Sequence, residues 1–386
     1  MTRLQLLLGY TLFFFIGFAP FAVINALWAE VPIFETTLIE KQAIGTTIGF
    51  WYNWANVFPF LYVLLSSKIN DYITSIFLYI IGILVCLFTA FYWDLTITFF
   101  SKDYSIGIIS ASFAAGFVGC TSMVTLFPFV KKYNRKFVSA VSVGMASSGF
   151  VTSLLALIQD VGYSPRFTPT VFFIILACLM ALATLSLLLT PIILETTAPL
   201  DTPLLSPSIQ TFTKPLTTKA LFNQTKIQLL NIFLISVFFY FYMPGLLPFI
   251  TIGFINRHRV YAWSNTLFQS FNLLGRFLPS LIVKDPSVFT TITGYLFYIS
   301  LFFGAIGPRH PEIFGNYGWV IILISALIAT LQGFIVTVVY MIVDIRIDDP
   351  HNQRKVTKWA ALCNQVGSMA GSWSCFLVSK LGGFGG

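Results

Sequence analysis

The stretch TVFFIILACLMALATLSLLLTPIIL, from Thr170 to Leu194, contains no charged side chain. As a helix of about 25 residues it rises roughly 37 Å at 1.5 Å per residue. That is enough to cross a hydrocarbon core about 30 Å thick. A helix apolar on every side belongs in lipid or deep inside a large core, and the composition decides for lipid. Of the 386 residues, 57% are hydrophobic and only 9% are charged, 42 are Phe, and the mean hydropathy is +0.84. A soluble domain carries about 25% charged residues. This excludes a soluble enzyme, a disordered chain and a nucleic-acid-binding domain. The lipid bilayer is the expected partner, and no nucleic acid is.

Outward from this segment, polar breaks divide the chain into eleven apolar spans, approximately 4–27, 44–66, 72–93, 105–130, 137–159, 170–194, 227–252, 260–283, 287–307, 317–345 and 356–381. Thr and Tyr dilute 287–307 most. The stretch 195–226 carries Pro199, Pro203, Pro207 and Pro215 among many Ser and Thr, with no apolar run, the composition of a flexible linker. Six spans precede it and five follow. The expected fold is an all-α polytopic membrane protein of about 11 transmembrane helices in a 6+5 two-bundle arrangement, resembling major-facilitator-type carriers. Its parts are an N-terminal bundle over 1–194, a cytosolic linker over 195–226 and a C-terminal bundle over 227–386. No internal sequence repeat is visible, so the two-bundle reading rests on this layout.

Arg3 followed by an apolar run has the look of a signal peptide. The run from Leu4 to Leu27 is too long for an h-region of about 7–15 residues, and no small-residue cleavage site follows. It reads as the first membrane helix. With the N-terminus placed in the cytosol, 14 of the 22 Lys and Arg fall on the cytosolic side, 7 outside, and Arg276 lies within a span. The positive-inside rule then favours N-terminus in and, with eleven spans, C-terminus out.

No Asp or Glu occupies the middle of a span, where proton relays and Na⁺ sites usually place them. No nucleotide-binding loop is present. His258, His310 and His351 lie in loops, and the five cysteines fall in apolar runs without metal-ligand or disulfide spacing. No acid, base or nucleophile is assembled for catalysis, and no metal or cofactor is expected. The spans do carry neutral polar and aromatic groups. Asn265, Gln269, Asn272 and Arg276 recur at i, i+4, i+7 and i+11, one face of a helix. Amides are costly against lipid, so that face points at protein or at a water-filled cavity. Helix–helix bonding is the plain alternative. Pro244-Gly245 and Pro248 predict a kinked or broken helix, as at many transport sites or in simple packing.

Four stretches carry a resemblance. They are Ile24-Asn25-Ala26-Leu27-Trp28-Ala29-Glu30-Val31-Pro32; Ala55-Asn56 with Pro59; Cys120-Thr121-Ser122 with Val124-Thr125 and Pro128-Phe129; and Gln365-Val366-Gly367-Ser368. Lesser echoes are Gly144 with Ser148-Gly149, Gly245 with Pro248, and Asn272. In these the chain resembles the eukaryotic riboflavin transporters, solute carrier family 52. It departs from them at Met145, where animal members are expected to carry glutamate, and in its short central linker and C-terminal tail.

The resemblance implies transmembrane transport of riboflavin, a small-molecule substrate, in the plasma membrane. Riboflavin is neutral near pH 7 and offers a flat tricyclic ring, a pyrimidine-like edge and hydroxyls. An aromatic or apolar slot with amides and hydroxyls suits it. The expected substrate-binding residues are Asn25, Trp28, Asn56, Thr121, Ser122, Thr125, Gln269, Asn272, Arg276, Gln365 and Ser368. A nucleoside would use nearly the same groups, so an equilibrative nucleoside-type transporter stays open, as does a non-transporting receptor or scaffold. The missing mid-span carboxylate points to a facilitative, Na⁺-independent carrier working by alternating access.

Overall fold

The computed structural model describes residues 3–65, 70–131, 133, 137–161, 164–194, 218–280, 286–306, 310, 315–347 and 350–381. Helix α1 (Arg3–Ala29) runs from the N-terminal face to the opposite, far face, where the short α2 (Val31–Thr37) lies. The chain returns through α3 (Ile44–Trp54) and α4 (Val57–Leu65), crosses again in α5 (Asp71–Tyr92), and forms a small antiparallel hairpin of β1 (Ile97–Phe99) and β2 (Lys102–Tyr104). Then come α6 (Ile106–Lys131), α7 (Phe137–Gln159) and α8 (Pro169–Ile193). After the segment outside the described residues, α9 (Thr218–Phe241) leads through a wide turn at Tyr242–Leu246 into α10 (Leu247–Ile250). The chain ends in α11 (Arg257–Phe277), α12 (Pro286–Ile306), α13 (Gly318–Arg346) and α14 (Pro350–Lys380).

Lipid cannot satisfy backbone N–H and C=O groups, so a spanning segment must pair them internally as a helix. Eight helices among the described residues are long and apolar enough to cross a membrane. They include 286–303, the segment with the most diluted sequence signal. The other three expected spans are less apolar or less continuous. The 44–66 span is split into α3 and α4 at Ala55-Asn56. The spans at 260–283 and 356–381 fall in α11 and α14, whose amides and charges lower their hydropathy. The expected linker lies outside the described residues up to 217, and its last nine residues instead form the start of α9. The interruption expected at Pro244-Gly245 takes the form of an i→i+5 bulge, a common accommodation where the regular ladder is broken.

Small residues set the closest helix crossings, since helices in lipid associate mainly by van der Waals packing and hydrogen bonds. On α1, Gly17 lies against the Val141 backbone of α7, and Gly144 of α7 lies against the Phe14 carbonyl. A side chain at either would collide with backbone. Gly275 of α11 and Gly333 of α13 repeat the arrangement among the later helices. Helices before residue 195 and those after 217 meet chiefly where α7 packs on α11 and α3 packs on α14. In both pairs polar contacts join the middle and far-face halves of the helices: Thr266 Oγ1 donates to the Ser153 carbonyl at 3.4 Å, and Asn53 Nδ2 to Ser372 Oγ at 2.9 Å.

Candidate functional site

Asn25 lies one turn before the far end of α1. Its Nδ2 donates to Ser148 Oγ of α7 at 2.9 Å. The next residue, Gly149, has no side chain, and the Gln269 amide of α11 fills that space with Asn25 alongside. Two amides from different parts of the chain thus converge on one bare backbone position. Three residues further on, the Trp28 ring lies 6.1 Å from that of Tyr52 and 6.3 Å from that of Tyr240, centroid to centroid. The Tyr52 hydroxyl faces the Cys120 thiol, and Tyr240 sits within electrostatic reach of Cys120 and Arg276. The result is a buried aromatic cluster, its rings in contact, with amides on one side and a guanidinium beyond.

The remaining expected residues divide by what their polar atoms do. Asn56 Nδ2 donates to Asn53 Oδ1 at 3.1 Å, and Ser368 Oγ donates to the same oxygen at 3.0 Å. Asn53 is therefore the node joining α3 to α14. Thr125 Oγ1 accepts from Ser75 of α5 at 3.1 Å. Asn272 donates to Gln332 Oε1 of α13 and accepts from Arg276 Nε at 3.3 Å. These are bonds between helices or along one, so the stripe on α11 serves two purposes: Gln269 faces α7, while Asn272 holds α13. Gln365 is half-buried, and its carbonyl accepts from Ser368.

Four expected residues behave differently. Trp28 Nε1, Asn56 Oδ1, Thr121 Oγ1 and Ser122 Oγ are buried and have no hydrogen-bond partner among the described residues. Buried polar atoms normally find partners. Such unpartnered atoms are groups that a polar ligand edge or water would satisfy.

Three contributions escaped the sequence reading. Tyr52, Asn53 and Tyr240 were visible as polar or aromatic residues in spans, but only packing shows that they converge. Glu30 stands just past α1, fully buried, with neither carboxylate oxygen hydrogen-bonded among the described residues. Burial pushes its carboxyl up to about 8, with Gln159 beside it pulling the other way. A mid-span search passes over a residue at a helix end. Glu35 of α2 forms a contact across the far face. His258 Nδ1 lies 2.9 Å from its Oε1 and Arg257 Nη2 4.0 Å. Arg257 Nε also donates to His258 Nε2 at 3.2 Å. That bond makes Nε2 the acceptor, while Nδ1, close to Glu35, makes no hydrogen bond among the described residues. Nearby, the Tyr261 hydroxyl donates to the Trp28 carbonyl at 3.2 Å.

The architecture is that of a polytopic membrane protein with a major-facilitator-type fold. The chain superposes on a bacterial homologue of the human lysosomal transporter Spinster, inward-facing and unoccupied, with a TM-score of 0.64 at 12% identity, over 99% of this chain and 84% of that one. It superposes on the nucleoside transporter NupG with a TM-score of 0.61 at 14% identity, over 98% and 92%. At such identities the likeness is one of fold alone.

The resemblance read from the motifs is shown as well: residues 5–165 match the family model for solute carrier family 52, riboflavin transporter. Member 3 of that family from Homo sapiens is 29% identical over 150 residues, 38% of this chain and 32% of the relative. Member 3-B from Danio rerio is 27% identical over 150 residues, 38% and 33%. The matches thus span about a third of the length of these relatives. Asn25, Trp28, Asn56, Thr121, Ser122 and Thr125 lie inside the matched residues; Gln269, Asn272, Arg276, Gln365 and Ser368 lie beyond them.

Proposed function

We propose that this protein carries riboflavin across the plasma membrane by alternating access, with the cytosolic N-terminus and outer C-terminus read from the charge distribution. The helices of 1–194 and 227–386 act as two bundles that rock about a site at their meeting point. The observation that carries this reading is the convergence of Asn25, Gln269, Trp28, Tyr52 and Tyr240 from both parts of the chain. Aromatic faces suit the flavin ring, amides its pyrimidine-like edge, and the buried hydroxyls of Thr121 and Ser122 its polar chain. Midplane sites between two helix sets are usual in such carriers. Contacts across the far face correspond to a closed outer gate, with Glu35, His258 and Tyr261 as its polar part.

Transport is facilitative and Na⁺-independent, because no carboxylate sits mid-span to bind a coupling ion. Glu30 lies beyond the end of α1, and its proton is held by burial rather than exchanged with substrate.

The test is uptake of labelled riboflavin and labelled uridine, side by side, in cells expressing the protein. Riboflavin uptake should exceed uridine uptake, survive Na⁺ replacement and not accumulate steeply against a gradient. Uridine uptake in place of riboflavin would favour a nucleoside carrier. No uptake of either, at normal surface level, would favour a receptor or scaffold. Concentrative uptake abolished by a protonophore would overturn the facilitative reading and make Glu30 the first residue to examine.

A further inference from the structure

A pocket of about 440 Å³ opens where α7 meets α11 at the far face, away from the aromatic cluster. Apolar Ile158, Val161 and Trp263 line it together with charged Asp160, Arg166 and Arg259. Its walls come from both parts of the chain. An exposed apolar stripe leads away from it along α7: Phe150, Leu154 and Ile158, spaced at i, i+4 and i+8, are 37%, 43% and 51% exposed. On α11, Trp263 and Leu274 are likewise exposed. Side chains so apolar and so exposed on spanning helices face acyl chains, and a Trp near a helix end sits at headgroup level.

The charges define the headgroup. Two guanidinium groups match a phosphodiester. Asp160 adds an acceptor that would repel a purely anionic headgroup and would bind an ammonium. We propose that this seam holds a zwitterionic glycerophospholipid of the phosphatidylethanolamine type, with its phosphate at Arg166 and Arg259, its amine at Asp160 and an acyl chain along the α7 stripe. Free phosphate compounds share the headgroup chemistry but offer nothing to the stripe. Because the pocket belongs to both α7 and α11, a bound lipid ties the two together and favours the closed far face.

Native mass spectrometry of the purified full chain tests this, with phosphatidylethanolamine and phosphatidylglycerol of identical acyl chains offered separately, and free phosphoethanolamine as a third arm. Charge-assisted contacts of this kind predict about a tenfold preference of the parent for phosphatidylethanolamine. Asp160→Asn should shift the preference toward phosphatidylglycerol, and the Arg166→Ala/Arg259→Ala pair should lose about tenfold or more in retention of either lipid. Phosphoethanolamine at millimolar concentration should not displace the lipid. Melting temperatures establish that each variant is folded, and if the arginine pair does not fold, the Asp160→Asn preference decides. Equal retention of the two lipids by parent and Asp160→Asn would overturn the proposal. So would parent-like retention in the folded arginine variant, or displacement by phosphoethanolamine alone.

Discussion

Asn25 and Asn272 are the same amide on two helices, and each bonds a neighbouring helix, Asn25 through Ser148 and Asn272 through Gln332. Asn25 also lies against the bare backbone of Gly149 with Gln269 beside it, next to the aromatic cluster. Asn272 is engaged by Gln332 and Arg276. Losing one amide contact to a buried ligand edge costs about 1–3 kcal/mol. Asn25→Ala and Gln269→Ala should therefore each raise the half-saturating riboflavin concentration roughly tenfold at normal surface level. An interhelical hydrogen bond in a membrane protein contributes about 0.6 kcal/mol and at most roughly 1.7. Asn272→Leu should accordingly lower the melting temperature in detergent more than it alters half-saturation. Leu84, 58% exposed on α5, serves as the control, and Leu84→Phe should transport like the parent.

Glu30 gives the second prediction at this scale. Its carboxyl is raised from an ordinary 4.5 to about 8 by burial, so the folded chain holds this proton more tightly than the unfolded one. Its contribution to stability is complete below the ordinary value and is lost as pH rises through the raised one. Glu30→Gln removes that loss. The variant should melt with the parent near pH 4 and above the parent near pH 9. An equal difference at both pH values would show that folding does not raise the Glu30 carboxyl.

Among the elements, α2 and the start of α11 carry polar contacts across the far face, the gate of the proposed cycle. Glu35 is nearly inaccessible while His258 and Arg257 remain partly exposed, with side-chain exposures of 7%, 27% and 34%. A partly exposed pair is worth up to about 1 kcal/mol. Glu35→Gln should thus speed labelling of a Ser153→Cys probe from the far side by about two- to fivefold, since Ser153 lies in the α7–α11 seam and its carbonyl accepts from Thr266. Tyr261→Phe, which removes the bond to the Trp28 carbonyl, should act in the same direction. Unchanged labelling in both variants would mean that apolar packing alone closes this face.

For the whole molecule, orientation follows from charge. The 14 to 7 distribution of Lys and Arg predicts that a tag before Met1 stains only in permeabilised cells, and that a tag after Gly386 stains on intact ones. The reverse pattern would exchange the inner and outer assignments while leaving the geometry of the cluster unchanged.

Spanning helices were legible along the chain because lipid imposes one local requirement, an uninterrupted apolar helix, that composition displays. The motifs around Asn25, Asn56 and Thr121 were legible for a related reason: they are contiguous, so their order survives in one dimension. The use of each polar residue was not legible. An amide that bonds a neighbouring helix and one that packs on bare backbone have the same spacing on a helix face, and the difference lies in what that helix presents, Gly149 opposite Gln269 but Gln332 opposite Asn272. Nor does a sequence reveal that Glu30 is buried or that Glu35 meets His258, a residue 223 positions away. Burial and long-range pairing are set by how the helices cross, and those crossings depend on small residues such as Gly17 and Gly144, whose partners are named only by the packed structure.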